Sequence, residues 1–214
     1  MKKVYILSGL GADERVFKYL DFKDLDITFV QWIEPEPHEK LTDYVERLRE
    51  QIKQDNPILV GLSFGGIIAA ELAKIIPIEK LIIISSVKTK KAIPLAYRLV
   101  GKVHLHRLIP YSILKKDHFL NRWLFGVVRK NDKVLFQKVL ADTDIDFLKW
   151  AVHTIVTWKN TAIPDNLYQI HGANDRLLPL KDNGKVIVIK NGGHLMVLDK
   201  AKQVSEALHQ IING

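Results

Sequence analysis

A serine, a histidine and an aspartate have the types and surroundings to do chemistry. Ser63 stands in Gly61-Leu62-Ser63-Phe64-Gly65-Gly66, where an apolar run, Pro57–Gly61, passes directly into a helix-like stretch, Phe64–Ile76. A turn that sharp holds its central residue in a strained backbone conformation and requires very small neighbours two positions away. The hydroxyl then stands clear of the strand end, at the N-terminus of a helix. A serine hydroxyl is a weak nucleophile at neutral pH. It needs a base within hydrogen-bond reach, and the base needs an acceptor to orient it.

His194 is the expected base, in Asn191-Gly192-Gly193-His194 between a strand and the last helix. Asp175 is the expected orienting acid, just past the strand Asn166–Ile170 and a Gly turn, in His171-Gly172-Ala173-Asn174-Asp175. Attack on a carbonyl also needs two backbone N–H donors aimed at the oxygen as it becomes negative, and losing one typically costs about 3–4 kcal/mol. Phe64, the residue after the nucleophile, is expected to give one. Leu10, in the Gly-rich stretch Ser8-Gly9-Leu10-Gly11, is expected to give the other.

The surrounding elements have a rhythm that would place these groups together. Val4–Ser8, Ile27–Trp32, Pro57–Gly61 and Lys80–Ser85 read as short strands, and Asp13–Leu20, Leu41–Ile52 and Phe64–Ile76 as helices between them. Thr42 is the expected cap of the second helix. Strands apolar on both faces and alternating with helices imply a parallel sheet covered on both sides. The pattern resumes late in the chain with strands at Asn166–Ile170 and Lys185–Ile189 and a closing helix at Lys200–Ile212.

Residues 88–160 break this rhythm. The segment reads as several helices, and holds Trp123, Trp150, Trp158 and four histidines. It carries fifteen Lys and Arg against five Asp and Glu, whereas the rest of the chain carries 17 against 19, so the whole net charge of +8 arises here. Such a segment is either a solvated helical surface or a face that meets something anionic, such as a phosphorylated carrier or an acidic lipid. Its Leu95, Leu99, Leu105, Leu108, Ile109, Leu114, Phe119, Trp123, Leu124 and Phe125 either line an apolar pocket or pack the segment onto the core. His104-x-His106 has no acidic or third histidine ligand at useful spacing in the sequence, so no metal site is expected.

With these motifs in place, the chain resembles the α/β-hydrolase superfamily from about residue 4 to residue 212. The likeness rests on Gly61–Gly66, on His171–Pro179 (His-Gly-Ala-Asn-Asp-Arg-Leu-Leu-Pro) and on Gly192-Gly193-His194, in the family's chain order of Ser, Asp, His. It implies an α/β-hydrolase fold of about six mostly parallel strands. The core would be residues 1–87 and 161–214, and residues 88–160 a helical cap inserted after the strand ending near Ser85. Two departures stand out. The family's usual His-Gly in the oxyanion loop is Ser8-Gly9 here. The chain also starts at the family's third strand, as in compact members such as plant methylesterases and hydroxynitrile lyases.

The expected activity is cleavage of a carboxylic ester or thioester through an acyl-enzyme, on a small-molecule substrate that is neutral or anionic. The same residues also suit cyanohydrin or carbon–carbon cleavage, or a receptor-like binding module. No cofactor is expected. With no cysteine, disulfides, a thiolate nucleophile and a cysteine zinc site are excluded. No recognition motif for nucleic acid is present. No leader or membrane-length apolar run is seen, which makes a cytoplasmic location the expectation.

Overall fold

The computed structural model describes residues 1–108, 119–127, 129–181 and 184–214. Ile109 and Leu114 of the apolar set above lie outside the described residues, as does the side chain of Leu108. Six strands form one sheet: β1 (Lys2–Leu7), β2 (Leu25–Val30), β3 (Ile58–Leu62), β4 (Lys80–Ile84), β5 (Leu167–Gly172) and β6 (Val186–Ile189). Their order is β2-β1-β3-β4-β5-β6, and every neighbouring pair is parallel.

Alternation along each strand explains the two covered faces. Val4 and Ile6 of β1 point with Val60 and Ile82 into one apolar layer. There they meet Val204, Leu208 and Ile211 of α8 (Ala201–Asn213). Tyr5 and Leu7 point the other way with Leu59, Leu81 and Ile83. That layer is closed by Tyr44 and Leu48 of α1 (Leu41–Leu48) and by Ile67 and Ile68 of α2 (Phe64–Leu72).

Several boundaries differ from the sequence expectation. The first expected helix contracts to a 3₁₀ turn, Glu14–Phe17, whose cap Asp13 accepts from Arg15 N–H. Helix α1 starts after Lys40, so Thr42 is not its cap; its hydroxyl donates to Asp43 instead. Helix α2 ends at Leu72, and Ile75 N–H already bonds back to the Leu72 carbonyl in a tighter turn.

Between β4 and β5 the described chain forms α3 (Leu95–Lys102), a 3₁₀ turn (Leu105–Leu108), α4 (Phe119–Phe125), α5 (Lys130–Asp142) and α6 (Ile145–Thr157). Leu95, Leu99, Leu105, Phe119 and Trp123 are exposed, so they do not anchor this segment to the core. Phe147, Ala151 and Trp158 pack with α2, while Leu135 and Val139 join the opposite layer. Trp158 Nε1 also donates to Glu71 of α2 at 2.7 Å. Among the described residues, no helix is long and apolar enough to cross a membrane.

Candidate active site

The sheet order fixes where a site can form. From β1 the chain crosses to β2 on one side and then returns to β3 on the other side of β1. The loops leaving the C-terminal ends of β1 and β3 therefore diverge, and a crevice opens between them. The β1 loop begins at Ser8, and the β3 loop is Ser63 itself.

Ser63 has φ 52° and ψ −116°, a conformation that costs a residue with a Cβ energy. The neighbouring glycines show what enforces it. A Cβ on Gly61 would stand 2.4 Å from the Gly65 carbonyl oxygen, and one on Gly65 would stand 2.3 Å from that of Ser8. Helix α2 thus starts with its backbone pressed against the ends of β1 and β3. Ser63 N–H donates to the Ile84 carbonyl at 2.8 Å, and the Ser86 hydroxyl donates to the Ser63 carbonyl at 2.6 Å.

The structure brings Ser63, His194 and Asp175 into one hydrogen-bonded row. Ser63 Oγ lies 2.8 Å from His194 Nε2, and His194 Nδ1 lies 2.8 Å from Asp175 Oδ2. Asp175 is buried, and its second oxygen accepts from Leu177 and Leu178 N–H at 3.0 and 2.9 Å. An ionised carboxylate only accepts, so His194 Nδ1 carries the proton and Nε2 is free to accept from Ser63. His194 is fully buried, whereas Ser63 is part-exposed.

Further residues hold this row, and none of them carries a signal for that position in the sequence. His171 Nε2 donates to the Leu178 carbonyl at 2.8 Å and stands 3.4 Å from Asp175 Oδ2. Its Nδ1 faces the Gln169 amide, which also donates to the Ser86 carbonyl. Burial pushes the pKa of His171 below the ordinary imidazole value, against the pull of Asp175. Phe125, the last residue of α4, sets its ring edge-on to His194 at 5.5 Å, and its carbonyl accepts from Leu195 N–H. The short helix α7 (Met196–Asp199), unforeseen in the sequence, follows at once.

Leu10 and Phe64 lie on either side of the crevice. Ala12 N–H donates to the Gly9 carbonyl at 3.0 Å, which leaves Leu10 in the middle of a turn whose own bond does not use its N–H. Phe64 is the first residue of α2, where N–H groups have no partner within the helix. The loop lies close to the nucleophile: a Cβ on Gly9 would be 3.5 Å from Ser63 Cβ. The Ser8 hydroxyl donates to the Ala12 carbonyl, so a serine braces the loop where the resembling family has histidine.

Beside this loop lies a cavity of about 430 Å³. Its walls include Gly11, Trp32, Thr143 and Phe147, with Asp13, Glu34, Asp142 and Asp144 set against Arg15. Trp32 connects it to the elbow, its ring 5.6 Å from that of Phe64.

One group among the described residues has donors suited to a metal. His104, His106 and His153 place a ligand atom each within 4.8 Å of one another. The expectation that His104 and His106 lack a third ligand is therefore corrected. The partner lies on α6, 47 residues beyond His106, and no local spacing links them.

Residues 6–207 match the profile of the Alpha/beta hydrolase family. No curated protein is similar enough to count as a match. A hydrolase from Pseudomonas aeruginosa PA01 has a similar structure, with a TM-score of 0.75 and 15% identity over 100% of this chain and 90% of that one. A bromoperoxidase from Bacillus anthracis gives 0.74 and 20% over 100% and 92%. A thermophilic esterase from Thermogutta terrifontis gives 0.70 and 15% over 100% and 90%. At these identities the likeness is one of fold.

Proposed function

The chain belongs to the alpha/beta hydrolase family, and from that premise we propose that it is a serine hydrolase cleaving a carboxylic ester or thioester. The observation that carries this reading is the row Asp175–His194–Ser63, with both links at 2.8 Å and the histidine tautomer set by a buried carboxylate.

The reaction runs in two halves. Ser63 Oγ attacks the carbonyl carbon while its proton passes to His194 Nε2. Asp175 steadies the imidazolium and keeps its ring oriented. The N–H groups of Leu10 and Phe64 receive the oxyanion. The tetrahedral intermediate collapses, His194 returns the proton to the departing alcohol or thiol, and an acyl-Ser63 ester remains. Water then attacks that ester while giving a proton to His194, and the second tetrahedral intermediate collapses with the proton returning from His194 to Ser63 Oγ as the acid leaves. Residues 88–160 act as a cap over a core of 1–87 and 161–214, with α4 laid against His194.

The test is labelling with a fluorophosphonate probe, with mass mapping of the adduct. An adduct on Ser63, absent from Ser63→Ala, supports the assignment. A folded protein that takes no label would sink it and bring forward the binding-module reading. A p-nitrophenyl ester panel separates ester cleavage from cyanohydrin or carbon–carbon cleavage.

The basic segment gives a second reading, in which the acyl group rides on a phosphorylated carrier. The cavity weighs against placing that anion inside it, because four carboxylates and one guanidinium line its walls. A carrier would have to lie on the outer face of the segment. Added salt would then depress kcat/KM for acyl-CoA and leave it unchanged for a neutral ester.

A further inference from the structure

We propose that His104, His106 and His153 form a binding site for one borderline-soft divalent transition-metal ion, with Zn²⁺ as the reference case, that clamps the turn after α3 to helix α6. The first observation is the donor set. Three imidazoles with no carboxylate among them select Zn²⁺, Ni²⁺ or Cu²⁺ and give Mg²⁺ or Ca²⁺ nothing to favour.

The second is the geometry. The three ligand atoms lie within 4.8 Å of one another, and His106 Nε2 and His153 Nδ1 face each other at 2.9 Å. Around a tetrahedral Zn²⁺ with bonds of about 2.0–2.1 Å, ligand nitrogens stand about 3.3 Å apart. Small side-chain rotations therefore convert the cluster. Both rings turn lone pairs to the cation once the proton of their hydrogen bond is released on metal binding.

The third is how the backbone holds the ligands. His104 has φ 56°, a left-handed conformation uncommon outside glycine, and this turn brings its ring 6.0 Å from both other rings. The spacing between the two elements is fixed beside the cluster. A Cβ on Gly101 would stand 2.3 Å from the Val156 carbonyl oxygen, so α3 and α6 touch backbone to backbone three residues from His104 and from His153. Exposure is graded across the site, with His106 buried, His153 half-buried and His104 exposed. An ion can therefore arrive from the His104 side and keep water as its fourth ligand.

The clamp bears on the proposed active site through α6. His153 lies six residues, or about 9 Å along the axis, beyond Phe147. Phe147 in turn packs against Trp32 and Phe64.

The experiment is calorimetric titration of the full, tag-free chain with Zn²⁺, alongside thermal melts. Wild type should take up one Zn²⁺ per chain and melt at a higher temperature with it, because the ion binds only the folded form. His104→Asn keeps a residue that tolerates positive φ, so its metal-free melt should match wild type. Its Zn²⁺ affinity should fall by at least about 10-fold, as should that of His153→Gln, and Mg²⁺ and Ca²⁺ should give no heat. Should His153→Gln fail to fold, His104→Asn decides alone. No uptake by wild type, or wild-type affinity retained in His104→Asn, would overturn the site and leave a metal-free histidine cluster.

Discussion

The Thr143 hydroxyl, at the C-terminal end of α5, lies 3.1 Å from the Gly11 carbonyl oxygen, 132 residues away. It ties the helical segment to the loop that presents the Leu10 N–H. The same hydroxyl also reaches the Val139 carbonyl at 2.8 Å. The contact is close on the other side as well. Gly11 has φ 67°, and a Cβ there would stand 2.3 Å from Thr143 Oγ1.

Thr143→Val keeps the shape and removes the donor. A neutral hydrogen bond is worth about 1 kcal/mol net, which corresponds to a fall in kcat of about 5-fold if the bond serves the transition state. The thermal midpoint should move by only a few degrees. Steady-state kinetics on a p-nitrophenyl ester give the answer, and an unchanged kcat would detach Thr143 from the role proposed for the Leu10 N–H.

The strain at Ser63 predicts a split between two variants that remove the proposed nucleophile. Ser63→Ala retains a Cβ at φ 52° and should match wild type in stability. Ser63→Gly removes the Cβ and should be more stable by about 1 kcal/mol, after allowing for the greater freedom glycine has when unfolded. Urea unfolding of both compares them directly. Equal stabilities would mean that the strain only matches the extra freedom of glycine in the unfolded chain, and a less stable Ser63→Gly would mean that the turn stores no strain.

Gly65→Ala should be far more damaging than an exposed-helix Gly→Ala change. Its Cβ would collide with the Ser8 and Leu7 carbonyl oxygens, both main-chain atoms that cannot swing aside. A loss above about 4 kcal/mol is expected. It would be read as insoluble protein or a strongly lowered urea midpoint, and near-normal stability would contradict the close approach.

His171 should make stability depend on pH. Burial lowers its folded pKa, while the unfolded chain titrates near the ordinary value of about 6.5. The unfolded form therefore binds the proton first as pH falls. The stability gained from the neutral ring is full above about pH 6.5 and declines below it toward the folded pKa. Thermal midpoints of wild type between pH 7.5 and 5.5 should fall more steeply than those of His171→Asn. Parallel slopes would assign the acid sensitivity to other groups.

The sequence by itself determined the features that short-range sterics and periodicity encode. Glycines at 61 and 65 announce the elbow because only they fit where α2 meets β1 and β3. Runs such as Leu81-Ile82-Ile83-Ile84 announce buried parallel strands because both faces must be apolar. Ser63, Asp175 and His194 were identifiable one by one from the turns that carry them. Element ends were less legible. Thr42 has the chemistry of a cap, but the helix starts after Lys40, where packing of Tyr44 and Leu48 on the sheet sets the register.

Only the tertiary structure decided which distant groups meet. Strand order put the β1 and β3 loops on either side of one crevice. Helix packing brought Phe125 onto His194, Thr143 onto Gly11, and His153 onto His104 and His106. Contacts across 47 to 132 residues leave no local period to read. They follow from how α3 to α6 settle against the core, a balance of many weak contacts summed over the folded chain.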